Sequence, residues 1–252
     1  MRVIAYGLGV AALIGCTNSA AQESRAAPGD DQAERRVAAT ETRRDYDLSG
    51  FARVSLATPD TVEIRQGAVF SIRAEGHAEI LNELELTVEN GTLRIGYRDD
   101  HDRRRWRRPD HRPATISIVM PGLNGVSLAG SGDMDVGQFA SQGFEASIAG
   151  SGNIAIQSLQ TDRAAFEIAG SGDLSVAGTA DSIELDIAGS GDVAAGEFRA
   201  RTLDVSIAGS GDVEAYVTEN VEASFIGSGD VTVRGGAQCR SSAIGSGALR
   251  CS

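Results

Sequence analysis

The sequence predicts a single all-β domain wound as a β-helix, or β-solenoid. Three observations carry that prediction. The triplet Gly-Ser-Gly recurs seven times, starting at Gly130, Gly150, Gly170, Gly189, Gly209, Gly227 and Gly245, in steps of 20, 20, 19, 20, 18 and 18 residues. Apolar residues alternate with polar ones on both sides of each triplet, and the flanks are rich in Val and Ile. No apolar spacing of helical period competes with this pattern. A fixed period near twenty signals stacked coils, each burying its apolar side against its neighbours.

Counted from the first Gly of each triplet, four rows are apolar. Two residues before it stand Leu128, Ile148, Ile168, Ile187, Ile207, Phe225 and Ala243. Four before stand Val126, Ala146, Phe166, Leu185, Val205, Ala223 and Ser241. Four after stand Met134, Ile154, Leu174, Val193, Val213, Val231 and Leu249, and six after stand Val136, Ile156, Val176, Ala195, Ala215, Val233 and Cys251. Each repeat of about 18–20 residues therefore reads as strand, tight Gly-Ser-Gly bend, strand, and a loose return such as Ala177 to Asp181. Coils stacked at about 4.8 Å turn these rows into internal ladders. Glycine at the bend tolerates positive φ and close backbone approach.

The segments before the repeats have their own signals. Met1-Arg2 followed by the apolar run Val3–Gly15 reads as a secretory signal, too short to span a bilayer comfortably. Leu13-Ile14-Gly15-Cys16 resembles the bacterial lipobox, which makes Cys16 the lipidated residue and residues 1–15 the signal peptide. The alternative is an ordinary signal cut after Ala21. Thr17 after Cys16 implies, by resemblance to lipoprotein sorting rules, the outer membrane, with the domain facing the periplasm or the cell surface. Residues 16–45 show no apolar period and read as a flexible tether.

The β pattern begins at Tyr46, so residues 46–252 form the head domain. Within it, residues 46–123 are less regular and residues 124–252 hold the seven repeats. Val54 and Leu56, Val62 and Ile64, Leu84, Leu86 and Val88, Leu93 and Ile95, and Ile116 and Ile118 mark its first strands. Asn90-Gly91 between two of these runs is a hairpin turn signal.

Charge narrows the function classes. The 252 residues carry a net charge of −12, and all 23 basic residues are Arg. Nucleic-acid binding is not expected of such a chain. One basic stretch, Arg103-Arg104-Arg105-Trp106-Arg107-Arg108, suits contact with an acidic glycan, lipid headgroups or an envelope protein. It also fits a solvated loop neutralised by Asp99, Asp100, Asp102 and Asp110.

With Cys16 taken by lipid, Cys239 and Cys251 remain as an even pair in an exported chain. They stand six before and six after the last triplet, at positions that hold core residues in most other coils. They are expected to form a disulfide closing the end of the column. The bare edge at Leu249–Ser252 leaves pairing with another copy open.

Chemistry is harder to find. Asp133, Asn153, Asp173, Asp192, Asp212 and Asp230 follow the triplets and would align as an acidic ladder. Ca²⁺ binding is one reading, with Asp133, Asp173, Asp192, Asp212 and Asp230 as ligands and metal stabilising the repeat. The other is that each side chain accepts a backbone N–H and closes its bend. One Asp per twenty residues favours the second. The Ser row from Ser131 to Ser246 has no base or orienting group in the repeats, since the only His residues are His77, His101 and His111. His101 and His111 with nearby Asp are a weak metal pair. Neither a catalytic set nor a cofactor is expected.

Three segments together resemble the putative auto-transporter adhesin head GIN domain family. They are the Ile-Ala-Gly-Ser-Gly-Asp-Val run, Tyr46-Asp47-Leu48-Ser49-Gly50-Phe51, and Asn90-Gly91-Thr92-Leu93-Arg94-Ile95. The resemblance spans Tyr46 to Cys251. It implies a β-helical fold and an envelope or surface location, and it brings no catalytic residues. The leading expectation is a non-enzymatic envelope or cell-surface protein that presents a rigid surface as an adhesin or scaffold. The alternatives are a polysaccharide lyase or hydrolase and a Ca²⁺-stabilised structural repeat.

Overall fold

The computed structural model describes residues 41–98 and 113–252. Sixteen strands form one continuous sheet that coils on itself. Its regular part is five long strands, β9 (Asp133–Gly150), β10 (Asn153–Gly170), β11 (Leu174–Gly189), β12 (Val193–Gly209) and β13 (Val213–Gly227). Each is a full coil, and each pairs in parallel with the next, so Ile154 meets Leu174 and Gly170 meets Gly189. The backbone stays paired around the corners, which is why one strand label covers a whole coil.

Within a coil the inward alternation slips twice. In β10 the buried positions are Ile154 and Ile156, then Leu159 and Thr161, then Ala164, Phe166 and Ile168. Three straight runs therefore enclose the core of each coil. This corrects the expected loose return. Gly178–Ala180 pair with Leu159–Thr161 of the coil below, and Gly178 also pairs with Phe198 above. The middle run has room for only two inward residues, out of phase with both neighbours. The coils also differ in length there, with register breaks at Ile156/Leu159 and Ser175/Ala177. Counted back from the next triplet, Phe139, Leu159, Gly178 and Phe198 all stand eleven residues before its first Gly, but Gly178 interrupts the apolar row.

The four apolar rows are buried in the first six coils, as Leu128, Ile148, Val205 and Phe225 show. Phe139, Leu159 and Phe198 of the middle run add a further inward row, with Gly178 between the last two, and Val217 stacks on Ala200 beside it. In the last coil Ser241 and Ala243 are exposed and Leu249 is half-buried.

The N-terminal strands continue the column by interleaving. Strand β3 (Thr61–Gln66) lies on the first run of β9, and β8 (Gly125–Gly130) lies on its last run. One layer further out, β7 (Thr115–Met120) pairs in parallel with β3 and β2 (Arg53–Leu56) pairs in parallel with β8. Then β4 (Ser71–His77) lies antiparallel on β7, and β6 (Thr92–Tyr97) lies parallel to β2. The outermost strands are β1 (Glu41–Tyr46) and β5 (Leu84–Glu89), both antiparallel. Asn90 (φ 51°) and Gly91 (φ 74°) form the expected tight hairpin between β5 and β6.

Three features depart from the sequence reading. Strand β1 starts at Glu41, inside the expected tether. Among its described side chains, Thr42 to Tyr46, none is buried. It is held by backbone pairing to β4, by an Asp45–Arg73 bond of 3.0 Å, and by the Arg44 guanidinium, which donates to the Leu81 carbonyl and the Asn82 side chain. Strand β4 carries buried Ile72 and Ala74 and was not among the expected strands. A short helix, α1 (Ala78–Glu83), buries Ile80 and Leu81, although the chain shows no helical period. Six residues are too few to display one.

The column closes with β14 (Val231–Arg234), β15 (Gln238–Gly245) and β16 (Leu249–Cys251). Cys239 and Cys251 are joined by a disulfide, with Cα atoms 6.7 Å apart, as the spacing predicts. It links β15 to β16 across the last bend.

Candidate ligand-contact surface

The Gly-Ser-Gly-Asp corner is built for close stacking. The first Gly of each triplet has φ between 124° and 146°, a region that L side chains avoid. From Gly150 onward, a Cβ on either Gly would fall closer than 3.0 Å to a backbone carbonyl oxygen of the coil below. The Ser N–H groups donate down the stack to those carbonyls, for example Ser171 to Gly150 at 2.9 Å and Ser190 to Gly170 at 2.8 Å.

The Asp row is part of the same device. The Asn153 side-chain oxygen accepts the Asp173 N–H (3.1 Å), and the Asp173 carboxylate accepts the Asp192 N–H (3.0 Å). Asp192 serves Asp212 (2.8 Å), Asp212 serves Asp230 (2.9 Å), and Asp230 serves Ala248 (3.0 Å). At the bottom, Asp133 accepts both the backbone and side-chain N–H of Asn153. The donor belongs to the next coil, so the side chain bonds coil to coil; closing its own bend, as the sequence suggested, is not what it does. A side-chain amide does the same job at Asn153, so the role needs an acceptor and not a charge. Among the described residues no group of three or more His, Cys, Asp or Glu is placed to hold a metal. Asp230 has a further partner, Arg250 at 2.7 Å, whose hydrogen bond holds its carboxyl below the usual range.

The base of this corner is different. Ala57–Asp60 lies beneath the first triplet, and the backbone carbonyl of the fully buried Asp60 accepts the Asp133 N–H at 3.1 Å. Asp60 accepts the Tyr97 hydroxyl and the Ala114 N–H, both at 2.7 Å. These two residues flank segment 99–112, so one carboxylate ties both ends of that insertion to the column. Burial, followed by the Asp60 charge, pushes the Tyr97 phenol well above its ordinary value.

The exposed Ser row sits between the Asp row and a row of small apolar residues, Ala129 to Ala208, that ends in Ile226 and Ile244. No His of the described residues lies in the repeats. The Ser hydroxyls have no acid–base machinery to activate them.

Among the described residues, a concave surface follows the last run of each coil. Its outward residues line two adjoining depressions of about 530 and 950 Å³. Glu145, Ala165, Glu184, Asp204, Glu222 and Arg240 form one outward row along it. A parallel row includes Glu167 and Asp186. Arg53 sits at one end and pairs with Glu145 at 3.2 Å, while Arg240 at the other end lies 3.8 Å from Glu222. The result is a polar groove with an acidic middle and Arg at both ends. In the sequence this row is marked only by the outward positions five residues before each triplet, which the inward apolar rows do not single out. Cys16, most of the tether, His101, His111 and the basic stretch Arg103–Arg108 with Trp106 lie outside the described residues.

Solved structures share this architecture. A putative adhesin from Bacteroides fragilis is 25% identical, with a TM-score of 0.77, covering 85% of this chain and 98% of its own. A putative lipid binding protein from Parabacteroides distasonis is 22% identical, with a TM-score of 0.68, covering 85% and 97%. A putative adhesin from Parabacteroides merdae is 16% identical, with a TM-score of 0.62, covering 85% and 97%. No curated protein matches the chain. The family model described as "Putative auto-transporter adhesin, head GIN domain" matches residues 50–237. A coiled column with its Gly-Ser-Gly corner, the closing disulfide and that match agree with an exported protein: the chain belongs to the putative auto-transporter adhesin head GIN domain family.

Proposed function

We propose that the chain is a non-enzymatic adhesive head, anchored to the outer membrane through lipid on Cys16 and displayed on a tether. The observation that carries this reading is the groove along the last run of the coils. It sits on a scaffold whose strands are paired from end to end and whose corner is bonded coil to coil. Such a scaffold holds outward side chains in fixed rows, which suits repeated contact with an extended partner. The groove sets Glu, Asp and Arg in rows along an extended open surface, which suits binding better than turnover. A surface glycan or an envelope protein is the class of partner that fits.

The test compares attachment of wild-type cells, cells lacking the protein, and cells with Glu184→Gln, Asp204→Asn and Glu222→Gln together. Attachment to glycan-coated and protein-coated surfaces is scored. The triple variant should attach as poorly as the deletion while being exported at the wild-type level. Unchanged attachment in the deletion strain would remove the adhesive reading.

A further inference from the structure

We propose that the column pairs with a second copy of itself through β15, as a closed two-fold dimer. Strand β15 has β13 on one side, and among the described residues nothing pairs with its other side. Such an edge presents unpaired N–H and C=O groups that template another strand, and proteins protect edges with charge, Pro or bulges.

The two ends of the column differ in that protection. At the N-terminal end the outer strand β1 exposes Arg43 and Asp45, and β5 exposes Glu85 and Glu89. At the other end, Ser241 to Leu249 contains no charged residue and no Pro. The neighbouring Arg240 and Arg250 are each engaged with an acid one coil below, Glu222 and Asp230.

The same end exposes apolar side chains. Ile226 and Ile244 are 63% and 73% exposed and stack in register, in a row that holds only Ala in the coils below. Ala243, inward by its position in the row, is also exposed.

These facts select the occupant. Parallel continuation by another coil would need an acceptor at position 248 for the next N–H, and Ala248 supplies none. Head-to-tail stacking would set this edge on the charged β1 or β5. A second β15, antiparallel about a two-fold axis, meets the same uncharged edge and closes without a filament. Inward residues must face inward, so the axis passes through Ser241 or Ser242. Either register puts Arg240 opposite an uncharged residue, Ser242 or Ile244.

Native mass spectrometry of the purified full-length chain, released from detergent and kept oxidised, reads the number of copies. The wild type should be a dimer in the micromolar range. Ser242→Lys sets a charge against Arg240 or against its own copy, according to register, and Ile244→Lys sets one on the apolar edge; each should raise the dissociation constant about tenfold or more with the far-UV circular dichroism spectrum unchanged. Val69→Lys, which alters the exposed Val69 far from β15, should leave the dimer intact. A wild-type monomer, higher oligomers, or dimers indifferent to the β15 variants would overturn the proposal. Copy number is read on the purified chain, and the adhesive reading stands or falls on the deletion strain, so the two ideas fail independently.

Discussion

The repeated glycines are where the account is easiest to break. Gly170 combines a φ of 138° with a close approach to Gly150, whose carbonyl carbon would lie 3.0 Å from an added Cβ and whose oxygen would lie nearer still. Ordinary carbon–oxygen contact needs about 3.3 Å or more, so Gly170→Ala must part the two coils by about 1 Å at this corner. That movement strains the Ser171–Gly150 bond (2.9 Å) and the Asp173–Asn153 bond (3.1 Å) beside it. Gly130 provides the comparison. Its φ is 124°, but nothing lies within 4 Å of an added Cβ. Gly130→Ala therefore carries backbone strain alone, about 1–2 kcal/mol. Gly170→Ala adds two weakened bonds and overpacking, about 3 kcal/mol more. For a domain of this size the difference is roughly 6–12 °C in Tm. Parallel thermal and urea melts of the two variants measure it. Equal losses would refute the claim that coil-to-coil contact, and not positive φ, makes these glycines necessary.

Other parts of the structure give independent expectations. Asp192→Ala should cost about 1 kcal/mol in urea melts because the Asp212 N–H loses its acceptor, while Asp192→Asn should cost much less, as Asn153 already serves this role. Chelator should leave the melting temperature unchanged; a chelator-induced drop would revive the cation reading of the Asp row. Cys239→Ser with Cys251→Ser opens a loop of a dozen residues and should cost about 3 kcal/mol, seen as a lower urea midpoint without reductant. The Tyr97 phenol is raised in the folded state, so its contribution is fully present below the unfolded value of about 10 and is lost as pH rises above it. Wild-type stability should therefore fall through that alkaline range, and Tyr97→Phe should flatten the fall in pH-dependent urea melts.

Much of the column was legible because one interaction repeats. Inward rows such as Ile148, Ile168 and Ile187 stack on their own kind, so each residue marks the next, and the inward pair Cys239 and Cys251 could be matched by counting from one bend. The middle run was hidden because its inward row, Phe139, Leu159, Gly178 and Phe198, is broken by a glycine and runs out of phase with the alternation on either side. Asp60 was hidden for another reason. It takes its corner position through an irregular connection, and its partners, Tyr97 and Ala114, are brought to it by chain that passes twice through the N-terminal layers. The groove could not be read from burial patterns, because outward residues obey no packing rule. Its Glu and Asp row is visible only when the outward positions are lined up as carefully as the inward ones.

Display is the condition on which adhesion depends, and the chain makes it simple to measure. There is no Lys in the sequence. A Ser190→Lys variant places one amine in the exposed Ser row of the column. Intact cells are treated with an amine reagent that cannot cross the outer membrane, with a periplasmic protein as the leakage control. For a displayed head, labelling in intact cells should equal that after permeabilisation. Labelling only after permeabilisation would contradict display and place the head in the periplasm, where it could not meet an external surface.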